Sequence, residues 1–313
     1  MPSEHGLRAT DHRILLLPAV ILALLVGLQQ GWRVLEPLNA NSTTNGRSEA
    51  DVTLQPVSGQ SAEQILARFE STGYTWPPEE AVPTLAVQQF PDDIGELAVD
   101  ERKALFFQSL LPLLLVENAR LRHKRGRLQE LFAGGSLELD GPAWQFVAEL
   151  LYRYQLSGDP NDPQTRRELL RRVDEIPIDM ALAQAANESG WGTSRFAQEA
   201  NNLFGVWTWD ADQGMVPENR PEGASHYVRV FPDLHASVRN YVYTLNVGDA
   251  YQELRLLREQ RRQEGRPLHG LELAQGLSRY SQRGVAYVEE VQSMIRTNRL
   301  GELTTLELQP NSE

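Results

Sequence analysis

Glu188, followed at once by Ser189-Gly190-Trp191-Gly192, is the position in this chain whose surroundings best suit acid chemistry. It ends a run of small apolar residues, Met180, Leu182, Ala183, Ala185 and Ala186, that reads as a helix entered after Ile176-Pro177, proline being suited to a first turn. A carboxyl at the end of an apolar helix and beside a tryptophan is desolvated, which favours its neutral form. A carboxyl that still holds its proton near neutral pH is what cleavage of a glycosidic bond asks of its general acid. The glycines allow a sharp turn that leaves the carboxyl reachable from a cleft. The same spacing also describes an ordinary helix end with an exposed glutamate and a glycine stop, so it does not decide alone.

The rest of the chain limits what that acid can be part of. With 313 residues, 41% of them hydrophobic and 23% charged, there is room for a sizeable core. The net charge of −12 repels phosphate backbones and argues against nucleic acid as a partner. The lack of cysteine excludes disulfides, thiol nucleophiles and cysteine-ligated zinc. The six histidines show no HExxH spacing, and no Gly-rich phosphate loop or dinucleotide fingerprint occurs, so neither metal nor organic cofactor is implied.

One apolar run, Ile14 to Leu28, follows Arg8, His12 and Arg13 near the N-terminus. A spanning helix needs about 20 residues, and the run reaches that length if extended to Trp32, an interfacial anchor. It reads as an uncleaved membrane segment that leaves the bulk of the chain on the outer side, an inner-membrane protein with its working part in the periplasm. The alternative is a signal peptide cleaved near the poor site Asn39-Ala40-Asn41-Ser42, releasing the chain to the periplasm. Residues 33–60, rich in polar and small residues, read as a flexible linker.

Past the linker, Ser61-Ala-Glu-Gln64 fits a capping box ahead of Ile65, Leu66 and Phe69 at helical spacing. Prolines at 77, 78, 83 and 91 then predict an extended or looping stretch. From about Asp100 to Leu131 the pattern is helical. Its apolar part, Ala104 to Val116, is too short and too closely flanked by charge to span a bilayer, so it predicts a buried helix that Pro112 kinks or splits. The basic run Arg120 to Arg127 reads as a solvated face or, more sharply, as a surface for an anionic polymer. Trp144 to Tyr154 and Pro163 to Val173 predict further helices.

The segment Ala181-Leu-Ala-Gln-Ala-Ala-Asn-Glu188-Ser-Gly-Trp-Gly-Thr-Ser194, followed by Asn201-Asn-Leu-Phe-Gly205, resembles the signature of glucosaminidase-type peptidoglycan hydrolases, glycoside hydrolase family 73. Tyr227-Val-Arg-Val-Phe-Pro232, Ser237 to Tyr241, Tyr280, and Tyr287 to Ile295 agree in order and spacing. Arg279-Tyr-Ser-Gln-Arg-Gly284, Tyr287-Val-Glu-Glu290 and the upstream Arg102-Lys-Ala-Leu-Phe106 are similar to a Bax-like subgroup. The resemblance implies a mainly α (α+β), lysozyme-like domain with a small β-hairpin lobe. It implies hydrolysis of β-1,4 bonds in the glycan strands of peptidoglycan. By it Glu188 is the acid, Asn202, Phe204 and Gly205 shape the neighbouring wall, and Tyr280 lies near the reacting sugar. Trp191 and Tyr227 join them as candidate sugar contacts. Where the family usually carries lysine, this chain has Trp207; with Trp209 it faces one side of a strand, for sugar stacking or for core filling.

These readings divide the chain into a cytoplasmic start (1–13), a membrane segment (14–32), a linker (33–60), a helical region (61–160), the catalytic region (161–300) and a tail (301–313). A second carboxylate, which most glycosidases use, is sought on the lobe among Asp210, Asp212, Glu218 and Glu222. Glu222, beside Gly223, is preferred. The substrate's own N-acetyl group is the other route. Two rival functions remain at this point: a lytic transglycosylase working with Glu188 alone, and a non-catalytic wall-binding or scaffold protein.

Overall fold

The computed structural model describes residues 52–310 apart from 58, 60, 219, 221 and 222. The membrane segment, most of the linker and Glu222 lie outside the described residues. Strand β1, Gln55–Val57, pairs in parallel with β2, Leu85–Val87. The stretch read as linker up to residue 60 is therefore paired near its end. Three residues, Gln-Pro-Val, are too few to show strand alternation. Between the strands runs α1, Ala62–Ser71, opened by the Ser61 hydroxyl, which accepts from the Gln64 N–H at 3.3 Å, with Ile65 and Phe69 buried one turn apart.

Helix α2, Val99–Ala133, is one continuous element, and Pro112 does not split it. Proline cannot donate to the carbonyl four residues back, that of Gln108. The Tyr74 hydroxyl donates to this carbonyl instead, at 3.3 Å, while the Gln108 side chain donates to the Tyr74 carbonyl at 2.6 Å. By length and composition α2 would cross a membrane, yet 83% of its apolar window is covered by the protein itself. It is a core helix. Its basic run is a partly solvated face: Arg122, His123 and Arg127 are exposed, while Arg120 pairs with Glu117 at 2.7 Å, Arg122 with Glu175 at 2.5 Å, Arg125 bonds the Leu170 and Val173 carbonyls, and Arg127 lies over the Phe146 ring.

Helices α3, Pro142–Arg153, and α4, Pro163–Arg172, each begin on proline. Helix α5, Ile178–Ser189, is buried on every side from Ile178 to Ala186, lying among α2, a short helix α9 (Gly270–Leu273), α10 (Val285–Thr297) and the final 3₁₀ turn Leu300–Thr305. Its two polar side chains in that stretch, Asp179 and Gln184, find their partners inside the protein. Helices α6 (Arg195–Ala200), α7 (Leu234–Val247) and α8 (Gln252–Gln263) complete the helical body. The lobe is a three-stranded antiparallel sheet, ordered β3 (Trp207–Thr208), β5 (Tyr227–Arg229), β4 (Gly214–Met215). The architecture is mainly helical with a small sheet, as the lysozyme-like expectation holds.

One contiguous apolar core runs from Val57 to Leu303, with no break near residue 160. The tail also returns to the body: Gln309 and Glu307 exchange backbone hydrogen bonds with Val82 at 2.8 Å.

Candidate active site

Three consecutive residues after α5 take left-handed backbone angles, Gly190 (φ 58°), Trp191 (φ 61°) and Gly192 (φ 79°). At Trp191 this conformation costs energy in a residue with a Cβ. Packing offsets it: the indole lies edge-on to Phe106 and Phe107 of α2, with the Lys103 ammonium 4.8 Å from its centre. A Cβ on Gly192 would meet the Phe90 ring at 2.9 Å, so the segment after β2 closes over this turn. The upstream region thus holds the turn that ends the helix bearing Glu188.

The Glu188 carboxyl is half-buried at the last turn of α5, and burial raises its pKa. Hydrogen bonds from Tyr287 and Asn187 and the charge of Arg283 pull the other way without reversing the shift, and Glu290 adds to the rise. Arg283 pairs with Glu290 at 2.5 Å and not with Glu188. Around the carboxyl stands a group of tyrosines. The Tyr287 hydroxyl neighbours the Glu188 carboxyl, each bearing on the other's pKa, and accepts from the Gln184 amide at 2.9 Å. The other end of that amide accepts from the Tyr241 hydroxyl at 2.7 Å. Tyr280 stacks on Tyr287 with ring centres 5.2 Å apart, and Tyr251 adjoins Tyr280. Burial and the neighbouring Glu188 keep Tyr280 and Tyr287 far above the ordinary tyrosine range, so both remain O–H donors.

The residues expected at the site fall into separate groups. Tyr280 is brought to Glu188, and its hydroxyl donates to the Phe204 carbonyl at 3.1 Å. Phe204 is buried and stacks on Tyr241 at 3.9 Å, which fits a wall beside the acid. Asn202 is buried, and its amide is consumed by the backbone: it donates to the Val206 and Arg229 carbonyls at 2.8 and 2.9 Å and accepts from Val206 N–H at 2.9 Å. It clamps the loop to β5. Gly205 takes φ 66°. Trp191 belongs to the α2 contact just described. Trp207 is half-buried and edge-on to His226, Thr208 after it is buried, and Trp209, past the end of β3, is exposed. Tyr227, paired with Thr208, therefore faces the side opposite Trp207 and lies under Arg220.

Of the lobe acids, Glu222 is outside the described residues. Glu218 is exposed and pairs with Arg195 at 3.3 Å. Asp210 accepts from the Asp212 N–H at 3.0 Å, starting a 3₁₀ turn, and both are exposed. Sequence reasoning missed Gln184 and underused Tyr241 and Tyr287. Gln184 lies four residues before Glu188, hence on the same helix face, which was the available signal.

A helical body, a three-stranded lobe and a carboxyl whose pKa is raised by burial, set among tyrosines, suit a glycosidase. The family model described as Glucosaminidase: Mannosyl-glycoprotein endo-beta-N-acetylglucosaminidase matches residues 164–300. The chain is also 30% identical to "Protein bax" of Escherichia coli (strain K12) over 203 residues, 63% of this chain and 70% of that one. No solved structure matches the chain significantly. The chain belongs to the glucosaminidase family, as a Bax-like member of it.

Proposed function

We propose that the chain is a peptidoglycan hydrolase, a β-N-acetylglucosaminidase that cuts β-1,4 bonds of the glycan strand with Glu188 as general acid. The observation that carries the reading is the Glu188 carboxyl: burial raises its pKa, its direct partners are neutral hydrogen-bonding groups, and it lies at the end of the buried helix α5. In the reaction the Glu188 proton passes to the glycosidic oxygen as the bond from that oxygen to the anomeric carbon breaks. Water completes the hydrolysis at that carbon, with a lobe carboxylate as base or nucleophile, or with the N-acetyl group as nucleophile. Glu222 is the preferred lobe carboxylate, Tyr280 adjoins the reacting sugar, and Trp207 offers an indole for stacking.

A lytic transglycosylase, which needs only Glu188, is favoured by one observation: Asp210 and Glu218 are engaged on the lobe itself and at Arg195. Digestion of purified peptidoglycan, followed by mass analysis of the products, separates the two. The hydrolase leaves reducing ends, and 1,6-anhydro ends would overturn it. Comparing the amide variants of Asp210, Asp212, Glu218, Glu222 and Glu290 on one substrate preparation identifies the second carboxylate. Glu290 joins the set because its charge bears on Glu188. If all five variants stay active, the N-acetyl route holds.

The apolar run Ile14 to Leu28 supports a catalytic region (161–300) tethered by residues 14–32 and acting on the outer side of the inner membrane. Fractionation should find the full-length chain in the membrane, and a mature N-terminus near Asn41 would show a cleaved signal instead.

A further inference from the structure

The Tyr287 hydroxyl has one proton; it bonds the Gln184 amide at 2.9 Å and has the Glu188 carboxyl as its other polar neighbour. Which partner receives that proton follows from a chain of obligations. Among the described residues, the Tyr241 hydroxyl has one hydrogen-bond partner, the oxygen of the Gln184 amide at 2.7 Å, and Tyr241 is 2% exposed. A buried hydroxyl left without an acceptor is costly, so the amide oxygen is held toward Tyr241. The amide nitrogen, a donor only, must then face Tyr287, which it does at 2.9 Å. The Tyr287 oxygen accepts that hydrogen bond, and its own O–H is left for Glu188.

We propose that Gln184 and Tyr287 are positioning residues for the acid: Gln184, oriented by Tyr241, commits the Tyr287 O–H to the Glu188 carboxyl as that carboxyl gives up its proton. The proposal rests on the reading of Glu188 as general acid. Before transfer Glu188 is neutral and gains little from the donor. After transfer it is a carboxylate in a desolvated place, and a donor already aimed at it stabilises the charge as it develops. No reorganisation is needed, because Gln184 and Tyr287 are both fully buried and Tyr280 stacks on the Tyr287 ring with the planes 6° apart.

The other groups that bear on Glu188 are Asn187 on its own helix, Tyr251 from the turn after α7, Tyr280 from the segment between α9 and α10, Tyr241 on α7, Arg283 before α10, and Glu290 on α10. Arg283 and Glu290 are paired with each other. Neither depends on the Gln184 amide for its place, so removing the relay isolates its own effect.

The test reads Glu188 directly in the full chain. Its carboxyl stretch is followed by infrared spectroscopy across pH, as the difference between each background and the same background carrying Glu188→Gln. In Tyr287→Phe the ionisation midpoint of Glu188 should move up by about one pH unit, since a hydrogen bond to a charged group is lost. On peptidoglycan kcat should fall about tenfold with KM little changed. Gln184→Met should move the midpoint in the same direction, and should add nothing in the Tyr287→Phe background. Tyr287→Phe keeps the ring stack, so it carries the test even if Gln184→Met does not fold. An unmoved midpoint in folded Tyr287→Phe, whatever its melting temperature, would overturn the proposal. A moved midpoint in an enzyme whose Glu188→Gln variant is fully active would instead overturn the acid reading beneath it.

Discussion

Glu188 and Asp174 are both carboxyls largely withdrawn from water, and their surroundings shift them in opposite directions. Burial raises the pKa of each. At Asp174 the Arg258, Arg125 and Arg262 guanidiniums outweigh it, at 3.6, 3.5 and 2.8 Å, and the group is held below the ordinary aspartate range. At Glu188 the nearest partners are a tyrosine hydroxyl and an amide, and the group stays above the ordinary glutamate range. Burial therefore does not set the direction of the shift. The presence or absence of a paired cation does: guanidiniums face Asp174 where α4, α7 and α8 are joined, and neutral groups stand beside Glu188. Asp179 sharpens the rule. It is fully buried and accepts from the N–H groups of Gly270 and Met180 at 2.9 to 3.0 Å, without a guanidinium, and burial pushes it up to about 6 despite them.

The largest expected effect on stability is at Arg258. Its side chain is 1% exposed and donates to the Arg171, Asp174 and Glu175 carbonyls and to Asn246, besides facing the Asp174 carboxylate. Arg258→Met leaves those groups buried and short of a donor. Denaturant unfolding at pH 7 should show a loss of about 3–5 kcal/mol. A loss below about 1 kcal/mol would mean that the arginine cluster is not what makes Asp174 tolerable.

Next come two isosteric amides with opposite signs. Asp174 has a depressed folded pKa, so its contribution is present above about pH 3.8 and is lost as pH falls through the folded value. Asp174→Asn should destabilise at pH 7 by about 2 kcal/mol. Glu188 has a raised folded pKa, so its contribution is present below about pH 4.5 and is lost as pH rises through the folded value. Glu188→Gln should therefore leave stability at pH 7 unchanged or slightly improved, by at most about 1 kcal/mol. Thermal melts of both variants decide this, and the reverse order of signs would break the comparison.

The third carboxyl shows itself as a slope. Asp179 titrates near 6 in the folded chain, so its contribution is fully present below about pH 3.8 and fades as pH rises through 6. Stability measured in steps from pH 4 to 7 should fall through this group, and Asp179→Asn should remove that part of the fall. An unchanged slope in the Asn variant would assign it elsewhere.

The residues around Glu188 show which parts of the site can be read from sequence. The helix, its burial and the glycine turn were legible because α5 is apolar up to Ala186 except at Asp179 and Gln184, and the stop residues follow closely. The tyrosine shell was legible only as a set of motif residues far apart in sequence. Nothing local places Tyr287 beside Gln184, a pairing that spans 103 positions. Trp191 was expected to desolvate the acid, whereas its ring contacts are with α2, because the left-handed turn carries the indole to Phe106 and Phe107. Pro112 was expected to interrupt α2, and local sequence cannot show that Tyr74 would take the carbonyl it leaves. Strand β1 was invisible because three residues carry no periodicity, and its partner β2 lies 30 residues away in register.

The central claim, that Glu188 supplies the proton, is tested most directly by turnover of purified peptidoglycan under the wild-type chain and under Glu188→Gln. Both would be shown to be folded by their melts. The amide preserves shape and removes the transferable proton, so release of soluble glycan fragments should fall by about 10² or more. A folded Glu188→Gln protein that releases fragments at close to the wild-type rate would contradict the account.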